Sequence, residues 1–139
     1  MIQLGIFEGS DVDDLKGALH VVIPIRTKTG LNAREHFMVR TKRVRRERQA
    51  TRFFWHKAFG NTKPPFPPPY VVTLIRVSPG IVADSDGVVG GLKGVRDQVA
   101  EQLGLDDGPR SPIVWRYDWR KGPWGVICFI QPRAEKGAT

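Results

Sequence analysis

Five apolar residues constrain this chain more than anything else in it. Val88, Leu92, Val95, Val99 and Leu103 recur at spacings of 4, 3, 4 and 4, which is one face of an α-helix. Asp86 stands where an N-cap would, so its carboxylate can accept from the first free backbone N–H groups. Gly104 closes the pattern as a C′ residue. The spacing predicts a helix of about 17 residues, or ~25 Å at 1.5 Å per residue.

Acidic residues flank this helix. Asp84 and Asp86 precede it, and Asp106 and Asp107 follow it. At i and i+2, the first pair points to one side if it ends a strand. Two or three carboxylates converging there form a hard-oxygen site suited to Mg²⁺ or Mn²⁺. A straight helix would hold the two pairs apart. To meet, the second pair must return along a strand or come from another subunit. The other reading is that Asp86 only caps the helix and Asp106-Asp107-Gly108 only turns the chain. Spacing alone leaves both open.

A second helix is expected upstream, from Ala33 to Phe59, opened by Asn32 as N-cap with Glu35 at N3. It carries nine cations: Arg34, Arg40, Lys42, Arg43, Arg45, Arg46, Arg48, Arg52 and Lys57. Only Glu35 and Glu47 oppose them, so this stretch holds +7 of a chain total of +8. The positive charge is one patch, and solvated helix faces are usually of mixed sign. Phosphates are its natural partner, through contacts that release counterions. Val39, Ala50, Phe53, Phe54 and Ala58 are expected to supply the buried side.

The remaining segments read as strands: His20–Ile25, Tyr70–Val77, Ile113–Trp119 and Trp124–Ile130. Pro24 assigns the first to an edge or makes it a strand end. The last two, joined at Lys121-Gly122-Pro123, are expected to pair as a hairpin. The run PPFPPP, Pro64 to Pro69, reads as a polyproline II connector. The order predicts an α+β domain, with a mixed sheet of four strands and two main helices. Four strands leave open edges, and an edge invites a second subunit.

The length of 139 residues suits one domain. Residues 1–19 read as a leader, 20–131 as the domain and 132–139 as a tail. A single cysteine fits a reducing cytosol. No apolar run is long enough for a membrane span, and no signal peptide is visible at the N-terminus, so a cytoplasmic protein is expected. One cysteine and three scattered histidines give no zinc-ligand spacing. There is no nucleophile-elbow motif and no P-loop. What fits is phosphodiester hydrolysis, which needs a carboxylate-held metal near a cationic surface that holds the backbone.

From His20 to Ile130 the chain resembles the RusA-type Holliday junction resolvases, most closely their short phage-borne members. The likeness is carried by IPIRTKTGLNAREHFMVRTKR, VVTLIRV, DSD…LKGVRDQVAEQLGLDDG and WRYDWRKG…GVICFI. It implies a homodimer that binds four-way DNA junctions and makes paired nicks with Mg²⁺. Asp84, Asp86 and Asp107 would be catalytic metal ligands, with Asp106 beside them. The junction would lie on the basic surface of Arg34, Arg40, Lys42, Arg43, Arg45, Arg46, Arg48 and Arg52. If phage-encoded, the protein would act in the cytoplasm of its host.

Two positions depart from the family pattern. Its asparagine after the second aspartate is Gly87 here, and its first-turn lysine falls at Gly90. Lys93, on nearly the same helix face, either substitutes for that lysine as a catalytic group or pairs with Asp97 at i+4. Gly87, Gly90, Gly91 and Gly94 would together cost a helix roughly 3–4 kcal/mol against alanine. Either another backbone, from a partner helix or DNA, approaches closely there, or the site has decayed. The second case leaves a catalytically weakened or inactive DNA-binding protein.

Overall fold

A computed structural model describes residues 18–27, 37–80, 91–105, 108 and 110–133, except for the side chains at 37, 39 and 40. The elements are β1 (Leu19–Ile23), α1 (Phe37–Phe59), β2 (Tyr70–Ser78), α2 (Lys93–Leu103), β3 (Ile113–Lys121) and β4 (Gly125–Pro132). They form the expected α+β domain, with two helices and a mixed four-stranded sheet. The strands lie one residue beyond the expected domain limits at each end, since β1 starts at Leu19 and β4 runs to Pro132.

The sheet order is β1-β4-β2-β3. β1 is an edge strand and Pro24 follows it directly, as expected. The hairpin is not formed. β4 pairs antiparallel with both β1 and β2, while β3 pairs parallel with β2 on its far side. The reason lies in β2. Val72 and Leu74 face one core cluster and Ile75 and Val77 the other, all at 1% exposure or less. A strand buried on both faces belongs inside the sheet, with a neighbour on each edge. β3 carries Arg116, Asp118 and Arg120 in register with Thr73, Ile75 and Val77, so it suits an edge. The β3–β4 connection passes the end of β2, where the Gly122 N–H donates to the Ser78 carbonyl at 3.0 Å.

Both helices cover the same face of the sheet. Trp55 of α1 and Val95, Val99 and Leu103 of α2 pack against Val21, Val72, Leu74, Val126, Cys128 and Ile130. On the opposite face Ile75, Val77, Ile127 and Phe129 form a second cluster with Ala18 and Val22. Cys128 is a buried core thiol, as expected, and burial holds it in its protonated form.

α2 is shorter than the sequence predicts. It has 11 residues, ~16 Å, and begins at Lys93 after a turn at Gly91-Leu92. Leu92 occupies the N-cap position with no side-chain cap bond, and Asp86 lies outside the described residues. Of the four glycines, Gly87 and Gly90 also lie outside the described residues, while Gly91 lies in the turn and Gly94 inside α2. There the close approach is real, and it comes from α1 of the same chain. A Cβ on Gly94 would lie 2.7 Å from Glu47 Oε1 and 2.9 Å from the Val44 carbonyl oxygen. The C-terminus follows expectation. Gly104 has φ 71°, its N–H donates to the Glu101 carbonyl, and the Leu105 N–H donates to the Ala100 carbonyl, which is a Schellman cap.

The proline run is not a straight spacer. It contains a cis peptide bond between Pro68 and Pro69. Phe66 turns back to meet Tyr70 edge-on at 5.7 Å and packs against the core.

Candidate nucleic-acid interface

α1 is buried along an unexpected stripe. Its buried residues are Glu47, Thr51 and Trp55, one turn apart, flanked by the half-buried Val44, Ala50, Phe54 and Phe59. Of the residues expected inside, Ala50 and Phe54 are half-buried, whereas Phe53 is 61% exposed and Ala58 is also exposed. The Val39 side chain lies outside the described residues. A polar stripe is tolerated because each member has a partner. Arg43 meets Glu47 at 3.2 Å, and the Thr51 hydroxyl donates to the Glu47 carbonyl at 2.7 Å. Polar residues at the contact with Gly94 hide the helix's inner face from any hydrophobic pattern.

This arrangement sorts the cations. Arg43 is turned inward onto Glu47, with 10% of its side chain exposed. Lys42, Arg45, Arg46, Arg52 and Lys57 are exposed, and none makes an ion pair among the described residues. Met38 and Phe53 are exposed on the same side of the helix, and Phe54 props Phe53 edge-on at 5.0 Å. Arg34 and the Arg40 side chain lie outside the described residues.

Arg48 occupies a third environment, in a groove of about 420 Å³ between the helices. On the α1 side the groove is lined by Thr41, Val44, Arg45, Arg48, Gln49 and Arg52, and on the α2 side by Gln98 and Glu101. Arg48 Nε donates to Gln98 Oε1 at 3.2 Å and Nη2 to Glu101 Oε1 at 3.3 Å. Gln98 is itself buried, and its amide nitrogen donates to Glu101 Oε2 at 2.8 Å and Gln102 Oε1 at 2.6 Å. Gln98 and Glu101 were not picked out by sequence reasoning. Their only signal is an i, i+3 polar pair beside the Val95–Val99 stripe.

A second cationic group lies near the Ser78 end of β2. Arg76 is buried; its Nε donates to Thr27 Oγ1 at 2.6 Å and its Nη2 to the Thr27 carbonyl at 3.1 Å. Arg26 and Arg76 both lie over the Trp124 ring, at 4.9 and 6.0 Å. Desolvation lowers the Arg76 pKa, and the Glu47 charge opposes that shift. On the β3 edge, Arg96 stacks on Trp115 at 4.9 Å and donates to the Tyr117 hydroxyl at 2.7 Å.

The acids Asp84, Asp86, Asp106 and Asp107 lie outside the described residues. Their anchors do not. The segment bearing Asp84 and Asp86 leaves the Ser78 end of β2, and that bearing Asp106 and Asp107 leads into β3, whose first residue pairs with Tyr70 at the opposite end. Those ends are ~26 Å apart for a nine-residue strand. The sheet thus holds the two anchors at opposite ends of β2. As a donor set the four acids are all carboxylate oxygen, which matches Mg²⁺ or Mn²⁺. Among the described residues, no group of three or more His, Cys, Asp or Glu comes together. Lys93 is exposed and its Nζ lies 3.4 Å from Asp97 Oδ2, the i, i+4 pairing that was one of its two readings.

No protein-family model matches this chain, and neither does a curated protein sequence or a solved structure. No helix among the described residues is long and apolar enough to cross a membrane.

Proposed function

We propose that this chain is a metal-dependent, structure-selective endodeoxyribonuclease that nicks four-way DNA junctions in pairs, acting as a homodimer. The observation that carries the reading is the set of exposed cations on α1, Lys42, Arg45, Arg46 and Arg52, which have no ion-pair partner among the described residues. Like charges gathered on one helix repel one another, and a phosphate backbone relieves that repulsion. In this reading α1 holds the DNA. Asp84, Asp86 and Asp107, with Asp106 beside them, would hold Mg²⁺ or Mn²⁺. Such an ion supplies charge neutralisation at the phosphate and a more acidic bound water. Arg26, Arg76 and Lys121 add positive charge at the end of β2 from which the Asp84 segment departs.

A second reading is a DNA-binding protein of the same fold with weakened or no catalysis. It is favoured by Gly87 and Gly90 at the positions of the family's asparagine and lysine, and by the engagement of Lys93 with Asp97. A labelled synthetic four-way junction, incubated with Mg²⁺, Mn²⁺ or EDTA beside linear duplex of the same sequence, separates the two. Symmetric metal-dependent nicks in the junction alone are expected. Tight binding without nicks in either metal would establish the second reading.

A further inference from the structure

We infer that the α1–α2 groove is a seat for a nucleic-acid phosphodiester, and that Glu101 occupies it in competition with the phosphate. The inference rests on the nucleic-acid reading above and assigns the contact to a specific part of the surface.

The groove has the size of a ligand cleft, which runs to roughly 300–1,000 Å³. Three guanidiniums line it, from Arg45, Arg48 and Arg52, against one carboxylate, Glu101. Guanidinium forks match phosphate oxygens in pairs, whereas an ammonium acts as a point charge. Arg48 is held for this role from the α2 side. Gln98, 3% exposed, fixes its Nε, and Gln98 is fixed in turn by Glu101 and Gln102. A guanidinium held in this way loses less side-chain freedom when a phosphate arrives. The fourth member opposes binding. Glu101 is 60% exposed and meets Arg48 at 3.3 Å, so an incoming phosphate finds a negative charge beside its best donor. Glu101 also anchors Gln98. It therefore orients Arg48 in the free protein and weakens the bound state. The row of cations continues onto the outer face as Lys42 and Arg46, which favours a polyanion with repeated charges over a single carboxylate ligand.

The test is anisotropy binding of a labelled four-way junction and of matched duplex by the full chain, across salt from about 50 to 200 mM. Glu101→Gln keeps the size and hydrogen-bonding reach of the side chain at an exposed position, and is expected to tighten binding roughly two- to fivefold. Arg48→Ala is expected to weaken it roughly tenfold or more. Arg45→Ala and Arg52→Ala should each weaken binding and reduce the salt slope by about 0.9. Lys57→Ala, outside the groove, should change affinity by less than about twofold. If Glu101→Gln leaves affinity unchanged while Arg46→Ala weakens it, DNA rides on the outer face and the groove assignment is wrong, although the nucleic-acid reading stands. Polyglutamate competing as well as unlabelled DNA would overturn phosphate chemistry in favour of an acidic protein partner. Wild-type chain that binds no DNA at low salt would sink the function reading itself.

Discussion

At the scale of single residues, Gly94 and Cys128 make the clearest demands. A methyl group on Gly94 would fall within 2.9 Å of both the Glu47 carboxylate and the Val44 carbonyl. The Val44 oxygen is backbone and cannot swing away. Gly94→Ala, which gains helix propensity, is therefore expected to destabilise the fold by ~1–3 kcal/mol through overpacking, read as a lower urea midpoint. The Cys128 thiol is fully buried and its pKa is raised by desolvation above the ordinary 9.0. Below that value both folded and unfolded chains keep the proton, and no stability depends on it. Above it the unfolded chain ionises and the folded one does not, so stability falls as pH rises, by up to about 1.4 kcal/mol per pH unit. Urea midpoints at pH 8, 9 and 10 should drop more steeply for the wild type than for Cys128→Val; parallel curves would show that Cys128 carries none of the alkaline loss. Tyr70, also raised by burial, contributes equally to both proteins.

At the scale of elements, what was legible followed from repetition, and what was missed followed from exchange of partners. The Val95–Val99–Leu103 stripe, the Gly104 cap and the four strand locations were readable because each depends on residues near in sequence. The inner face of α1 was not, because Glu47 and Thr51 are accepted inside only through Arg43 and the notch at Gly94. The hairpin reading failed for a related reason. A three-residue link normally joins paired strands, and only the two-faced burial of β2 places it between β3 and β4. The start of α2 was missed because the apolar spacing carries on through Val88 although the described helix begins at Lys93. The acidic pairs were visible in the sequence, but the segments that carry them lie outside the described residues. For Lys93 the exposed pairing with Asp97 is worth about 0.3–0.5 kcal/mol. If that pairing is its only role, Lys93→Met should leave junction cleavage within about twofold of wild type, since an exposed pair of this kind contributes little. A loss of a hundredfold with unchanged binding would make it a catalytic group.

At the scale of the whole molecule, the proposed function divides between the exposed cations of α1 and the carboxylates of Asp84, Asp86, Asp106 and Asp107. On that proposal, Asp84→Asn is expected to abolish junction cleavage while leaving junction affinity within about threefold, because the binding energy would reside in phosphate contacts on α1. A variant that cuts as fast as wild type would remove Asp84 from the metal site. The sheet order has one further consequence, for the way the chain assembles during its synthesis. Among the described residues β4, the last of the four strands in chain order, is the one neighbour of β1, so that Leu19 finds its partner in Ile130. β4 must be made before β1 can take up this pairing. The sheet therefore closes only once β4 has been made, a long-range pairing of the kind that slows folding. A chain ending after Lys121 should accordingly lack a cooperative urea transition even though α1, β2, α2 and β3 are all present, and a cooperative one would show that the β2–α2–β3 unit folds without its last strand.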